Sequence, residues 1–427
     1  MTLTGTLPLT AAQRSLWAEQ QAHPDHTLNH TADCTEVRGP LQRDAFERAL
    51  HLTMLEAEAL RARLDGPGER GVQHPGAAAP TPMTLVDLRG TPNAAAHAET
   101  HLRAHLDAPF DLTRGHLTDH TLYVLADDHH WWVMRTHHIA LDGYGVALFG
   151  ARVAEHYRAL TGGPAVGAPF AAYAPVVAED AAYATSAARQ ADRAYWMKLY
   201  ADIPHTPAPL LDLGLARGTR VTGDLSAEDV RALRACADAL RTPWPNLLFA
   251  ATAAYWRART GERHVFLAVP SMARLGSVAA RVPCLTMNLL PLRVNAEDGA
   301  SLADLAGQAD AAYRAARPHA RYRYEDLWAD LNGHRLFGPE VNVIPFAAPL
   351  NLGAALQVRT RNVASGPVED LAFAFTGWAE RLTFALDGHP RLYDAATLQA
   401  HHAAFLAGLM DGVRHPHRSL VFPAVRA

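Results

Sequence analysis

Residues 120–164 constrain the fold of this chain more than any other stretch. Two short apolar runs, "HTLYVLA" and "HHWWVMRTHH", are joined by Asp127 and Asp128 and read as a β-hairpin. The second strand runs straight into "THHIALDGYG", residues 136–145. Beyond Gly143, Val146, Phe149, Val153 and Tyr157 share one helical face, and the pattern stops at Gly162, Gly163 and Pro164. His137 and His138 therefore stand between the end of a strand and the start of a helix.

The flanking sequence extends this mixed pattern. After the turn at Gly39 and Pro40, Ala45, Phe46, Ala49, Leu50 and Thr53 recur at helical spacing. The Ala/Pro-rich stretch 74–82 leads to a strand-like "MTLVDL" and a helix "NAAAHAETHLRAHLDAPF". Residues 163–180 are Pro/Ala-rich and read as the passage between two lobes, with a helix following around "AARQADRAYWMKLY". The second half carries helices over 226–241, 245–260, 301–316 and 395–413, and strands "HVFLAVP", "MNLLPLRV", "EVNVIPF" and "RLTFALDG". No repeat of 20–50 residues is visible, which excludes a solenoid. The expectation is an α/β (α+β) protein of two lobes, 1–175 and 176–427.

Length supports that division, since 427 residues exceed one ordinary core of roughly 100–200 residues. Basic and acidic side chains nearly balance, 39 against 43, and no basic stripe concentrates the charge, so nucleic acid is not an expected partner. The N-terminus lacks the basic start and apolar stretch of a secretory signal, and no run of 18 apolar residues appears. A cytoplasmic location and no membrane partner are expected. Cys34, Cys236 and Cys284 are odd in number and far apart, which fits reduced, buried, apolar residues better than a disulfide framework or a zinc knuckle.

Three chemistries compete for the histidine pair. Zinc on a helix prefers ligands at i and i+4, a spacing only His138 and Asp142 have, and Gly143 would break that helix at once. No metal is expected. Adjacent residues of an extended chain point to opposite faces, so both imidazoles could simply satisfy hydrogen bonds. Acid–base work accounts for more: a neutral imidazole is matched to accept a proton at cellular pH, with His138 facing a cleft and His137 turned inward. Asp142 would need a buried cation, and Gly143 would let the backbone approach a substrate and offer an N–H to an oxyanion. That combination suggests acyl transfer. No G-x-S-x-G elbow, P-loop, dinucleotide fingerprint or paired C-x-x-C competes.

"HHIALDG" resembles the HHxxxDG signature of the condensation domains of nonribosomal peptide synthetases, in the chloramphenicol-acetyltransferase-like superfamily. Flanking stretches resemble the same family in order. "LPLTAAQRSLW" (7–17) is similar to its opening motif and "EAEALRARL" (56–64) to its RHExLRTxF segment, while "APFDLTRGHL" (108–117) resembles the segment before the hairpin. "LTMNLLPLRV" (285–294) is similar to its FVNTLPLR-like strand, and "RYEDL" (323–327) to its YPFE-like motif. "LFGPEVNVIPF" (336–346) and "NVASGPVEDL" (362–371) look more like domains joining an acyl or aryl starter to the first amino acid than like peptide-extending ones. Tyr144 follows the motif glycine where smaller residues are common. Leu55 and its neighbours replace the family's arginine-histidine pair, although Arg61 and Arg63 survive. Heterocyclisation domains, with aspartates for both histidines, are excluded, and "YGVALFG" departs from epimerisation domains.

The resemblance implies two acetyltransferase-like lobes in a V-shaped pseudo-dimer, with the motif in a tunnel between them. It implies amide formation by transfer from a donor carrier-protein thioester to the amine of an aminoacyl thioester on an acceptor carrier. Both substrates would ride on phosphopantetheine arms, with no cofactor bound by the domain itself and a neighbouring adenylation domain as a possible partner of the monomer. His138 would accept the amine's proton or steer an already neutral amine. Asp142 would form a structural ion pair with Arg61, and Gly143 would admit the thioester, any side chain obstructing it. Asn288 would line the opposite wall or make a plain sheet-edge hydrogen bond. Two other readings stand beside this: a free-standing acyltransferase of the same superfamily with a soluble amine or alcohol acceptor, and a silent docking module, against which the intact His138 argues.

Overall fold

A computed structural model describes residues 5–204, 216–345, 348–364 and 366–425. Helices α1 (Ala11–Ala22), α2 (Arg43–Glu56), α3 (Ala94–Leu106) and α4 (Gly143–Leu160) alternate with strands β1 (His30–Arg38), β2 (Thr84–Asp87), β3 (Thr118–Ala126) and β4 (His129–His137). Helices α5 (Ala174–Ala184) and α6 (Ala187–Leu199) follow, then β5 (Thr219–Asp224), α7 (Ala227–Ala239), α8 (Trp244–Thr260), β6 (His264–Ser271) and β7 (Asn288–Asn295). The chain closes with α9 (Leu302–Ala316), α10 (Tyr324–Asp330), β8 (Glu340–Ile344), β9 (Gln357–Asn362), β10 (Leu371–Trp378), β11 (Arg381–Gly388) and α11 (Ala395–Arg414).

These elements form two compact units, and neither is continuous in sequence. The first comprises Met1–Ser186, Arg274–Met287 and Pro349–Gly366; the second comprises Ala187–Ala273, Asn288–Ala348 and Pro367–Ala427. A boundary read from composition near 175 placed every later residue in the second lobe. The first unit instead runs to 186 and takes up two later excursions. Residues 163–180, read as a passage between lobes, contain the start of α5; Pro175 sits in its first turn, where the missing N–H has no helical partner to lose.

In the first unit five strands form a sheet in the order β9-β1-β4-β3-β2. β4 pairs antiparallel with both β1 and β3, so His137 lies opposite His30. One face packs α2 and α4: Phe46, Leu50, Trp132, Met134, Phe149 and Val153 bury together, with Phe46 edge-on to Trp132 at 5.3 Å. Strand β9 closes the edge beside β1.

The second unit's sheet runs β7-β6-β8-β10-β11-β5, with β8 parallel to both neighbours. Its core face joins Val341, Phe373, Phe375, Phe384 and Leu386 to α8 and α11 through Leu247, Trp256 and Phe405. The strand expected over 340–346 covers Glu340–Ile344, and Phe346 lies outside the described residues. Strand "RLTFALDG" matches β11 residue for residue. All three cysteines are buried free thiols, and burial pushes Cys34 and Cys284 up to about 12. Among the described residues no helix is long and apolar enough to cross a membrane.

Candidate active site

His137 ends β4 and is fully buried. Its Nδ1 accepts the Ile139 backbone N–H at 3.1 Å, which leaves the proton on Nε2 to be donated to Gln20 Oε1 at 3.0 Å. The Gln20 amide in turn donates to the Pro24 carbonyl at 2.7 Å, so its oxygen is the end offered to histidine. Burial holds the His137 pKa well below the ordinary histidine value, with His30 and His138 adding to the effect. Both ring nitrogens are thus engaged in a neutral ring that braces the strand end.

His138 is different in each respect. Its backbone N–H donates to the Asn29 carbonyl at 2.7 Å, which anchors the residue just past the last strand position. The side chain is partly exposed, and its ring makes no hydrogen bond or ion pair among the described residues. An acceptor nitrogen on a firmly held backbone is what a proton-accepting group needs.

Asp142 caps helix α4, with Oδ1 accepting the Gly145 N–H at 2.9 Å. The same carboxylate receives Arg274 Nη2 at 2.7 Å on each oxygen, and Oδ2 accepts the backbone N–H groups of Thr286 and Met287 at 3.0 and 3.1 Å. Arg274 also donates to the carbonyls of Ala279 and Cys284, both at 2.7 Å, and lies 5.0 Å over the Tyr144 ring. Burial works to lower the Arg274 pKa, but the Asp142 charge, the Cys284 side chain and the hydrogen bonds to both together outweigh it and raise the value.

This corrects the partner expected for Asp142. Arg61 donates instead to four backbone carbonyls, those of Met54, Leu55, Gly76 and Ala78, at 2.8–3.1 Å. Its fork staples the turn after α2. The cation for Asp142 comes from 132 residues downstream, on the excursion 274–287.

Gly143 is the first residue of α4, and a Cβ built there would meet nothing within 4 Å. Its lack of a side chain therefore relieves no clash with the described residues. The crowded glycine is Gly145, where a Cβ would lie 2.7 Å from Leu141 Cδ2 and 3.0 Å from the Cys284 carbonyl oxygen. Asn288 follows the hydrogen-bond alternative: its Nδ2 donates to the Ala320 and Tyr322 carbonyls at 2.9 and 2.7 Å, and Oδ1 accepts the Tyr324 N–H at 3.2 Å. Its amide is wholly spent on the turn before α10. Among the described residues no group of three His, Cys, Asp or Glu side chains is arranged to hold a metal.

The first unit thus presents one unengaged imidazole beside a helix N-terminus, set on a strand end by a neutral histidine and on a helix start by a buried ion pair. Such an arrangement, with two α/β units and a HHxxxDG motif, belongs to the class of acyltransferases. The chain belongs to the condensation domain family, whose model matches residues 4–421. Condensation domains are the amide-forming acyltransferases of nonribosomal peptide synthetases. It is 37% identical over 98% of its length to the isonitrile lipopeptide synthase of Streptomyces coeruleorubidus, and 33% identical over 93% to a dimodular nonribosomal peptide synthase of Bacillus subtilis. The match covers 29% and 17% of those proteins, so the chain spans less than a third of the curated relatives' length.

Among solved structures, the first condensation domain of the calcium-dependent antibiotic synthetase, in complex with a substrate analogue, aligns with TM-score 0.90 at 30% identity, covering 99% of this chain and all of that one. A mutant of the starter condensation domain of rhizomide synthetase, in complex with C8-CoA and Leu-SNAC, aligns with TM-score 0.89 at 30% identity over 98% of both chains.

Proposed function

We propose that this chain is a starter condensation domain, transferring an acyl group from a donor carrier-protein thioester to the amine of an aminoacyl thioester on an acceptor carrier. The observation carrying the reading is the contrast between the two histidines: His137 has both nitrogens occupied, while the His138 ring is partly exposed and unengaged. The rhizomide synthetase domain's complex with an acyl thioester and an aminoacyl thioester supports the pairing of substrates. Kinship to an isonitrile lipopeptide synthase supports a fatty acyl donor.

In this mechanism the acceptor amine attacks the thioester carbonyl while its N–H hydrogen-bonds to His138. As the C–N bond forms, the imidazole takes the proton. Collapse of the tetrahedral intermediate breaks the C–S bond, and the proton passes to the departing pantetheine thiolate. Asp142 and Gly143 act through position, Asp142 by fixing the start of α4 and Gly143 by leaving its backbone uncovered. The phosphopantetheine arms belong to the carriers, and the domain needs no cofactor of its own for this exchange. Alignment of two bound reactants is worth several kcal/mol, up to roughly 7–11 in favourable cases, and supplies most of the acceleration.

The test is single-turnover transfer between an acyl-loaded donor carrier and an aminoacyl-loaded acceptor carrier, read by intact-protein mass spectrometry. Condensed product should form on the acceptor carrier and fall by about 10²–10⁴-fold with His138→Ala. Transfer only to a free small amine or alcohol would refute the carrier-bound acceptor, and no transfer to any acceptor would leave a docking role.

A further inference from the structure

Helix α1 buries two glutamines, Gln13 and Gln20, two turns apart and so on one face of the helix. A buried amide is costly unless both of its ends are hydrogen-bonded, and in each of these both ends are. Gln13 Oε1 accepts Nε2 of the fully buried Gln73 at 2.9 Å, and Gln13 Nε2 donates to the Ile139 carbonyl at 3.3 Å. Gln20 spans the Pro24 carbonyl and the His137 ring. Glu19, beside it, accepts Asn29 Nδ2 at 3.0 Å, and the Asn29 carbonyl is the one that takes the His138 N–H. One helix thus holds residues 137, 138 and 139, directly or through Asn29, and every one of these groups lies within the first unit.

The contacts at His137 have a fixed sense. The Pro24 carbonyl has no proton to give, so the Gln20 NH₂ must face it and Gln20 Oε1 must face the ring. That oxygen requires the proton on Nε2, and a neutral ring protonated there keeps a lone pair at Nδ1 for the Ile139 N–H. With the proton on Nδ1 instead, two N–H groups would oppose each other and the amide of Ile139, a fully buried residue, would lose its acceptor. Three hydrogen bonds therefore run in series from the turn after α1 to the residue following His138, and their direction is set at Gln20.

We propose that Gln20 is a positioning residue for the transfer: by accepting the Nε2 proton of His137 it dictates the tautomer that fixes Ile139, and so aims the His138 imidazole between two pinned neighbours. The titratable groups that bear on the His137 ring are His26, His30 and His138, with the His30 ring centroid 5.7 Å away. Glu19 is turned from it toward Asn29 and His26, the latter at 3.4 Å. The ring nitrogens meet an amide oxygen and a backbone N–H, not a carboxylate, and an amide leaves the ring neutral where an acid would charge it. This inference rests on the proton-accepting role of His138 proposed above and extends it to the residue that sets its geometry.

The experiment is a double-mutant cycle on single-turnover transfer, combining Gln20→Met with His137→Asn. Methionine keeps the length of the glutamine without its hydrogen bonds. It should lower the rate by about 10–100-fold, the scale of a small misplacement of a reacting group, and leave the half-saturating concentration of either carrier unchanged. Asparagine at 137 offers a side-chain oxygen to the N–H two residues on and has no tautomer to select. In that background Gln20→Met should cost less than about threefold. Equal losses in the two backgrounds would make Gln20 a packing residue only and overturn the proposal. A second arm stands even where His137→Asn fails to fold. Gln20→Glu sets an anion against Nε2, which raises the His137 pKa and favours a doubly protonated ring with no acceptor at Nδ1. Its rate relative to wild type should fall as pH drops from about 8.5 to about 6, while the ratio for Gln20→Met stays level. A level ratio for both variants overturns the proposal and leaves the condensation reaction intact. Absence of condensed product from the wild type overturns the condensation reading and this inference with it.

Discussion

Replacing Asp142 by asparagine tests the central ion pair directly. Asp142 and Arg274 are 2% and 4% exposed, so neither charge can turn to water if the other is lost. Asparagine keeps an oxygen for the Gly145 N–H and so keeps the helix cap. It removes the charge facing Arg274 and, in that orientation, turns an NH₂ toward the N–H groups of Thr286 and Met287, which already donate there. Breaking one side of a buried pair costs about 3–5 kcal/mol, and this arrangement belongs in that range. Urea unfolding would report the loss as a lower midpoint, and hydrogen exchange should show Arg274–Met287 losing protection before the sheet does. Double-mutant cycles sharpen the test. Asp142→Asn with Arg274→Met should couple by several kcal/mol, whereas Asp142→Asn with Arg61→Met should be additive within about 0.5 kcal/mol. A loss below about 1 kcal/mol, or equal coupling to Arg61, would refute the reasoning.

Two further outcomes follow from the packing. Gly145→Ala pushes a methyl against the Cys284 carbonyl oxygen at 3.0 Å and should cost about 1–3 kcal/mol, while Gly143→Ala, with nothing within 4 Å, should change thermal stability by less than about 0.5 kcal/mol; equal effects would contradict the crowding argument. His120 is buried between Phe149 and Trp132, stacked at 5.6 and 6.0 Å, and burial lowers its pKa to about 4, only weakly opposed by Asp119. As pH falls, the unfolded chain takes the proton first, near the ordinary value of about 6.5, so the stability is complete above that value. It should be lost progressively toward pH 4, by roughly 3 kcal/mol in all. Melting temperatures of wild type and His120→Leu across this range should diverge, the variant losing less; parallel curves would show that His120 is not the titrating group.

Where periodicity and turn chemistry were strong, the sequence was a good guide. The hairpin β3–β4, helix α4 and strand β11 lie where alternation, helical spacing and glycine stops put them. Strand β1 escaped because "HTADCTEVR" has few large apolar residues, with histidine and threonine among its buried positions and aspartate and glutamate at half-buried ones, and β9 because its residues are mostly exposed at a sheet edge. The histidine pair was legible from its place between strand and helix. Its supports were not: the aspartate's partner lies 132 residues away, and nothing local distinguishes Arg274 from Arg61. Likewise the two glycines of "DGYG" look alike until the Cys284 carbonyl is seen against one of them. Glu56, where the family's arginine-histidine segment is altered, is answered by Arg152 at 2.7 Å and His156 at 3.0 Å, a compensation visible only once α2 and α4 are packed together.

The two excursions, Arg274–Met287 and Pro349–Gly366, also bear on how such a chain can be recombined. A cut after Ser186 looks like a clean seam, but it would strip the first unit of the arginine that answers Asp142 and of the strand that covers β1. What remained would hold an orphaned buried carboxylate and an open sheet margin, both of which favour aggregation over folding. Chimeras that exchange halves with a relative must therefore inherit their crossover segments from the parent of the first half, or exchange the domain whole.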